Sequence, residues 1–129
     1  MVFGTFDLLH PGHRFLIDEA RQRGDVTVVV ARAENVARIK GQPPEQSDTE
    51  RIRALEEAYP DITVILGDSE DFLKPVRETS PDLLLFGYDQ KLPPGVSEAD
   101  LPCPLERASA HRPEVFKSSL MKKKGIPGD

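Results

Sequence analysis

The chain has 129 residues, a length that fits one domain around a single hydrophobic core. Its one cysteine, Cys103, excludes an intramolecular disulfide and a multi-cysteine metal site, as is usual in the reducing cytoplasm. Seventeen basic and 22 acidic residues give a net charge of −5, which argues against a diffuse basic face for nucleic acid or an anionic membrane. We expect one domain over residues 1–129, cytoplasmic, with small-molecule partners, no nucleic acid and no membrane.

The amino-terminal residues carry no basic segment followed by an apolar segment, so no signal peptide is predicted. The apolar run at 26–31 is far shorter than the ~20 residues of a membrane helix. Only Met1, Val2 and Phe3 precede Gly4, so either the first strand is unusually brief or the natural start lies upstream.

Short runs of valine, isoleucine and leucine alternate with helical patterns along the chain, which is typical of a parallel sheet with crossover helices. Continuous apolar runs favour strands that are covered on both faces. The sequence therefore predicts an α/β domain with a five-stranded parallel sheet and helices on both faces. The predicted strands are 2–3, 26–31, 62–66, 83–86 and 105–108.

Helices are predicted between these strands. The segment 11–23 has apolar residues at helical spacing, begins with a proline and ends before Gly24. Residues 47–50 read Ser-Asp-Thr-Glu, a capping box that begins a second helix. A third helix is expected at 71–79, with Pro75 limiting its regular part, and a last one at 118–124. The segment 91–104 holds four prolines, so the crossover there must be abbreviated to a short turn at 97–101.

The segment 4–13 reads Gly-Thr-Phe-Asp-Leu-Leu-His-Pro-Gly-His and joins the first strand to the first helix. Ligands of open parallel sheets bind at the carboxyl ends of strands. His10 and His13 lie on one side of the first helical turn, where unpaired amides and the helix dipole already favour an anion. Gly12 between them allows a ligand to approach the backbone. The segment therefore predicts a phosphate site.

Nucleotidyl transfer needs donors aimed at phosphate oxygens more than it needs covalent chemistry, and two imidazoles can supply such donors. The alternative interpretation is that one histidine caps the helix and the other decorates the surface.

Residues 4–13 resemble the signature of the cytidylyltransferase-like nucleotidyltransferases, relatives of the class I aminoacyl-tRNA synthetases. The resemblance implies a Rossmann-like fold, a nucleoside triphosphate and Mg²⁺. It also implies that His10 and His13 stabilise the transition state at the α-phosphorus, and that nearby residues contact the nucleotide. Those nearby residues are Gly4, Thr5, Phe6 and Gly12.

The segment 112–119 lies where glycerol-3-phosphate and choline-phosphate cytidylyltransferases have a second signature, Arg-Thr-Glu-Gly-Ile-Ser-Thr-Thr, although its residues differ from that pattern. Ser118 and Ser119, with Lys117 beside them, are suited to a second anion-binding turn at a helix start. The resemblance implies that this turn binds the β- and γ-phosphates and that Arg112 meets the substrate.

Other segments are similar to the archaeal-type FAD synthetases of the same superfamily: 31–36, 39–41, 87–90 and the Lys-Ser-Ser sequence. By that similarity Lys40 meets a phosphate of the acceptor or the nucleotide, Arg51 approaches the substrate, and Asp89 contacts the nucleotide. The shortened segment 91–104 departs from both groups.

Each of these three residues also has a plainer interpretation. Lys40 would be a solvated lysine in a mobile loop. Arg51 occupies a helix first turn, where a cation is disfavoured by the dipole, but Asp48 could pair with it. Asp89 is a common turn residue.

The leading hypothesis is a nucleotidyltransferase in which an acceptor phosphate attacks the α-phosphorus of a triphosphate and pyrophosphate leaves. Lys40 and Ser118 would orient the phosphate chain, and Mg²⁺ would screen its charge. By resemblance ATP is the preferred donor and FMN the preferred acceptor. The alternatives are CTP with glycerol 3-phosphate and a noncatalytic nucleotide-binding module. A homodimer is expected from the resemblance alone. The segment 111–124 carries five basic residues against one acid, which favours one small polyanion over a polymer.

Overall fold

The structure is a computed structural model that describes residues 1–109. The predicted helix at 118–124, and with it Arg112, Lys117, Ser118 and Ser119, lies outside the described residues. The elements follow one another as β1 (Val2–Gly4), α1 (Pro11–Arg21), β2 (Thr27–Val30), α2 (Ala33–Lys40), α3 (Asp48–Ala58), β3 (Thr63–Leu66), α4 (Lys74–Thr79), β4 (Leu84–Phe86) and β5 (Leu105–Arg107). A short 3₁₀ turn at Glu98–Asp100 is the abbreviated crossover between β4 and β5. Within residues 1–109 no helix is long and apolar enough to cross a membrane.

All strand pairs are parallel, as predicted. Val2 pairs with Val28 between β1 and β2, β2 pairs with β3, and Leu84 pairs with Leu105 between β4 and β5. The five predicted strands are present, and their hydrogen-bonded ladder divides into a three-stranded part, β1-β2-β3, and a two-stranded part, β4-β5. β4 nevertheless lies beside β1, where the Leu85 amide donates to the Met1 carbonyl over 3.0 Å. The spatial order is therefore β3-β2-β1-β4-β5.

The seam between β1 and β4 opens at its carboxyl end because a side chain enters it. In a regular parallel ladder the bond after Leu85 to Met1 would join the Gly87 amide to the Phe3 carbonyl. Instead, Gly87 donates to Oε1 of Gln90 over 2.9 Å, and Nε2 of Gln90 donates to the Phe3 carbonyl over 2.9 Å. The carboxamide satisfies both backbone groups while holding the two strands apart.

Alternate residues of the strands enter two separate cores, one on each face of the sheet. Helices α1 and α3 cover the first core and α4 covers the second, which confirms helices on both faces. The first core contains Val2, Val28, Val30 and Leu85 with Ile17 and Leu55 from the helices. The second contains Phe3, Val29, Leu84 and Phe86 with Val76.

Two helices differ from the sequence prediction. Helix α4 begins at Lys74 rather than 71, because Pro75 occupies its first turn and Asp71 bonds the Leu73 amide ahead of it. Helix α2 was not predicted, and Lys40, assigned to a mobile loop, is its last residue. Its N-cap side chain makes no capping bond; the Ala33 amide is satisfied by Oδ1 of Asp48, 15 residues away. Gly41, at φ 93°, ends the helix and was the available sequence signal.

Arg51 has a structural role in the fold, and its contact with substrate stays a prediction. Its side chain is fully buried, with 0% exposure. Its guanidinium donates to the carbonyls of Thr5 (2.9 Å), Ala31 (2.7 Å) and Gln46 (3.2 Å), and it pairs with Asp48. These bonds join the residues that follow β1 and β2 to the start of α3, so Arg51 fixes the strand ends from which the loops leave.

We expect Arg51→Met to lower the free energy of unfolding by about 3–5 kcal/mol, because it leaves Asp48 and the backbone carbonyls without their buried donor. Urea denaturation followed by circular dichroism measures this. Arg53→Met, exposed on the same helix, is the matched control and should change stability by less than about 0.5 kcal/mol. Equal midpoints for the two variants would contradict the assignment.

Candidate functional site

The two histidines of the segment 4–13 lie against each other at the start of α1. Their ring centroids are 3.6 Å apart, with 20° between the ring planes. Both side chains are half-buried, and the ring of Phe6 lies 5.3 Å from that of His13. The sequence prediction that His10 and His13 share one side of the helix is confirmed by this geometry.

Hydrogen bonds to the backbone determine which nitrogen of each ring is free. Nδ1 of His10 accepts from the Gly12 amide over 3.1 Å, and Nδ1 of His13 accepts from the His10 amide over 3.2 Å. A neutral imidazole that accepts at Nδ1 carries its proton at Nε2. Neither Nε2 has a partner among residues 1–109, so the pair offers two N–H donors to an anion. His10 thus caps the helix, as the plainer interpretation held, and still offers a donor.

The loop that carries the pair is strained and tied down. Phe6 and Leu8 adopt left-handed backbone conformations, with φ 53° and 52°, which side chains larger than glycine rarely accept. The carboxylate of Asp7 accepts from the amides of Glu45 and Gln46 over 2.8 and 3.0 Å. The Leu8 amide donates to Oε1 of Gln46 over 2.9 Å. These bonds to the α2–α3 connection hold the loop in its strained form.

Two glycines are required by close contacts around the histidines. A Cβ on Gly4 would lie 2.8 Å from the Phe6 ring, which is only 2% exposed. A Cβ on Gly12 would lie 3.0 Å from Cε1 of His10. Gly12 therefore makes room for the capping imidazole. The buried ring of Phe6 lies against His13, and the predicted contact of Phe6 with the nucleotide stays a prediction.

The surroundings of His13 keep it uncharged at neutral pH. Burial lowers its pKa from 6.5 to about 4; the neighbouring His10 and Lys40 act in the same direction, and Asp7 opposes them. His13 is therefore a neutral donor.

A cavity of about 950 Å³ lies at the carboxyl ends of β1, β2 and β3. Gly4, Thr5 and Lys40 are among the residues that line it. Asp89 lies on the exposed turn after β4, where both its nucleotide role and its turn role remain predictions. The structure thus brings Gly4, Thr5 and Lys40 to one cavity, and it stacks the two histidines at the start of α1.

Two positioning groups were not found from the sequence. Gln90 belongs to the segment 87–90 and Asp7 to the segment 4–13, but no role of its own is predicted for either residue from the sequence. The α2–α3 connection that Asp7 binds lies 38 residues further along the chain, so no local spacing identifies it.

Comparison with known proteins agrees with this geometry. A family model described as cytidylyltransferase-like matches residues 1–122. The chain is 39% identical to the FAD synthase of Natronomonas pharaonis over 83% of this chain and 79% of that protein. It is 34% identical to the FAD synthase of Thermoplasma acidophilum over 96% of this chain and 91% of that one. A match at 44% identity to the FAD synthase of Ferroglobus placidus spans 67% of this chain but only 57% of that relative.

A solved structure also matches. The crystal structure of the lipopolysaccharide core biosynthesis protein from Thermoplasma volcanium GSS1 superimposes with a TM-score of 0.74 at 31% identity, over 86% of this chain and 95% of that one. The parallel α/β fold and the resemblance are thereby confirmed. With the family model covering nearly the whole sequence and the histidine signature in place at the end of β1, the chain belongs to the cytidylyltransferase-like family.

Proposed function

We propose that this nucleotidyltransferase transfers AMP from ATP to FMN, forming FAD and pyrophosphate. The observation that carries the proposal is the His10–His13 pair, whose Nδ1 atoms are occupied by the backbone and whose Nε2–H groups are free. The choice of substrates is supported by relatives named FAD synthase that are 34–39% identical over most of their own length.

The reaction joins two phosphates. A phosphate oxygen of FMN attacks the α-phosphorus of ATP, the new P–O–P bond forms, and the bond to the β-phosphate breaks as pyrophosphate leaves. Negative charge increases on the oxygens of the α-phosphoryl group as the transition state forms. The two Nε2–H donors would bind these oxygens, and both are in place before the reaction. Because the histidines are donors and not nucleophiles, no covalent enzyme intermediate is involved.

Lys40 would hold the acceptor phosphate beside His13, with Thr5 and Gly4 providing backbone contacts at the strand end. Lys117, Ser118 and Ser119 remain candidates for the β- and γ-phosphates, Arg112 for substrate and Asp89 for the nucleotide. Residues 1–109 contain no cluster of three side chains suited to a metal ion, and both oxygens of Asp7 already accept backbone bonds. We therefore expect Mg²⁺ to enter bound to the triphosphate, where it would screen the phosphate charge.

Purified protein incubated with ATP, FMN and Mg²⁺ should form FAD and pyrophosphate. Chromatography detects the FAD, and a coupled assay detects the pyrophosphate. His13→Ala should lower turnover by about 100-fold to 1,000-fold, as expected for the loss of one transition-state donor. His13→Gln, which keeps an N–H donor, should recover part of this loss. Turnover of CTP with glycerol 3-phosphate but none with FMN would replace the proposed substrates. Unchanged turnover in His13→Ala would reject the site.

Gly12→Ala should reduce turnover by about tenfold while changing the free energy of unfolding by less than about 1 kcal/mol. The new Cβ crowds the His10 ring, which is bonded to the Gly12 amide and stacked on His13 and can move only by losing one of these contacts. Kinetics and urea denaturation of the same preparation separate the two effects. Full activity with a perturbed stability would contradict the role given to this glycine.

The pH dependence of stability should contain a contribution from His13. In the unfolded chain its pKa is 6.5 and in the folded protein about 4, so the unfolded chain takes up the proton first as the pH falls through this window. The folded protein therefore loses stability between these values. Lowering the pH from 7 to 5 should lower the urea midpoint of the wild type by more than that of His13→Gln. An equal fall in both proteins would show that His13 is not neutral in the fold.

A further inference from the structure

Three consecutive backbone carbonyls at the end of β1 are each held by a donor from a different part of the fold. These carbonyls belong to Phe3, Gly4 and Thr5. The first accepts from Nε2 of Gln90, the second from the Ala31 amide and the third from the guanidinium of Arg51, each over 2.9 Å. The turn after β4, the end of β2 and helix α3 therefore determine together how the chain enters the loop between β1 and α1.

The Gln90 side chain differs from the other two donors because it also accepts a bond. Its carboxamide bonds the Gly87 amide through Oε1 and the Phe3 carbonyl through Nε2, as a peptide group inserted between β1 and β4 would. The main chain of Gln90 is itself fixed. Its amide donates to the Gly87 carbonyl over 3.1 Å, and its carbonyl accepts from Nε of Arg107 over 3.2 Å. The turn after β4 therefore sets the position of the Phe3 carbonyl.

A short path of close contacts leads from this carbonyl to the histidine pair. Gly4 follows Phe3 directly, and a Cβ on Gly4 would lie only 2.8 Å from the ring of Phe6. That ring is 2% exposed, and its centroid lies 5.3 Å from the centroid of the His13 ring. His13 in turn stacks on His10 at 3.6 Å. Because packed interiors transmit small displacements, a shift of Gly4 moves the Phe6 ring and with it the His13 ring.

Gln90 also lines the cavity at the strand ends, but its carboxamide oxygen and nitrogen are each bonded to a backbone group. We propose that Gln90 is a positioning residue for the histidine pair, which it holds in place through the Phe3 carbonyl and the ring of Phe6. The inference rests on the proposed function, since it takes the pair as the donors in the transfer. Gln90 contributes to the rate through the placement of those donors and makes no contact with the substrates.

Gln90→Glu separates the two bonds of the carboxamide. A carboxylate still accepts from the Gly87 amide, but it has no proton to donate to the Phe3 carbonyl. We expect kcat to fall about tenfold to 100-fold, because small displacements of catalytic groups have effects of this size, while KM for ATP and FMN stays within about twofold of wild type. Steady-state kinetics measure both constants. Gln22→Glu makes the same exchange on an exposed side chain after α1, at the opposite edge of the sheet, and should leave kcat unchanged.

Gln90→Ala tests whether the residue only satisfies two polar groups. Without the longer side chain, the Gly87 amide can approach the Phe3 carbonyl and form the bond of a regular parallel ladder. Both groups are then satisfied, but the carbonyl has moved toward β4. We expect kcat per folded molecule to fall about tenfold or more, with the folded fraction measured by circular dichroism at the assay temperature. A folded variant with the wild-type kcat, whether or not its KM is raised, would overturn the inference while FAD formation stands.

A measurement without substrates separates this inference from the proposed function. The histidine ring signals in NMR spectra report the pKa of His13, which burial lowers to about 4 in the wild type. In Gln90→Ala the ring should be held less closely, so this pKa should rise toward 6.5. If the wild type forms no FAD and the pKa of His13 rises in the variant, the proposed function fails and the positioning role stands. If the wild type forms no FAD and this pKa is unchanged in the variant, both fail.

Discussion

The guanidinium of Arg51 lies where β1, β2, α2 and α3 meet, and the geometry of the site depends on it. A fully buried cation is tolerated only when its donors are paired, and here three carbonyls and one carboxylate do this. Two of these carbonyls belong to Thr5 and Ala31, the residues that directly follow β1 and β2. Asp48 neutralises the charge and also bonds the first amide of α2. The Arg51–Asp48 pair therefore fixes the backbone where the chain leaves β1 and β2.

The loop that leaves β1 uses this fixed start to hold a strained shape. Its left-handed residues, Phe6 and Leu8, are retained because Asp7 and the Leu8 amide are bound to the α2–α3 connection. The strain places two imidazoles at the first turn of α1, where their Nδ1 atoms satisfy backbone amides. The bonds that start the helix are thus the bonds that direct both Nε2–H groups outward. The Nδ1 bonds to the backbone amides thus leave both Nε2–H groups available as donors.

Gln90 opens the sheet at the carboxyl end of the seam between β1 and β4. Its carboxamide bonds the Gly87 amide and the Phe3 carbonyl, so the main-chain bonds of this seam stop after those from Met1 to Leu83 and from Leu85 to Met1. The order β3-β2-β1-β4-β5 reverses direction at this seam, which is the usual position of ligand sites in open parallel sheets. The cavity borders this opening, with Gln90 in its lining.

The sequence by itself determined the features that depend on residues close together in the chain. Apolar runs located the strands, Ser47 and Glu50 formed the predicted capping box, and the spacing of His10 and His13 predicted that their rings share one side of α1. Such signals are readable because each involves periodicity or a bond within about four residues. Tertiary structure decided the start of α2, the burial of Arg51 and the insertion of the Gln90 side chain between β1 and β4. Their partners lie 15, 46 and 87 residues away, and no local pattern records a contact that exists only once the chain has folded.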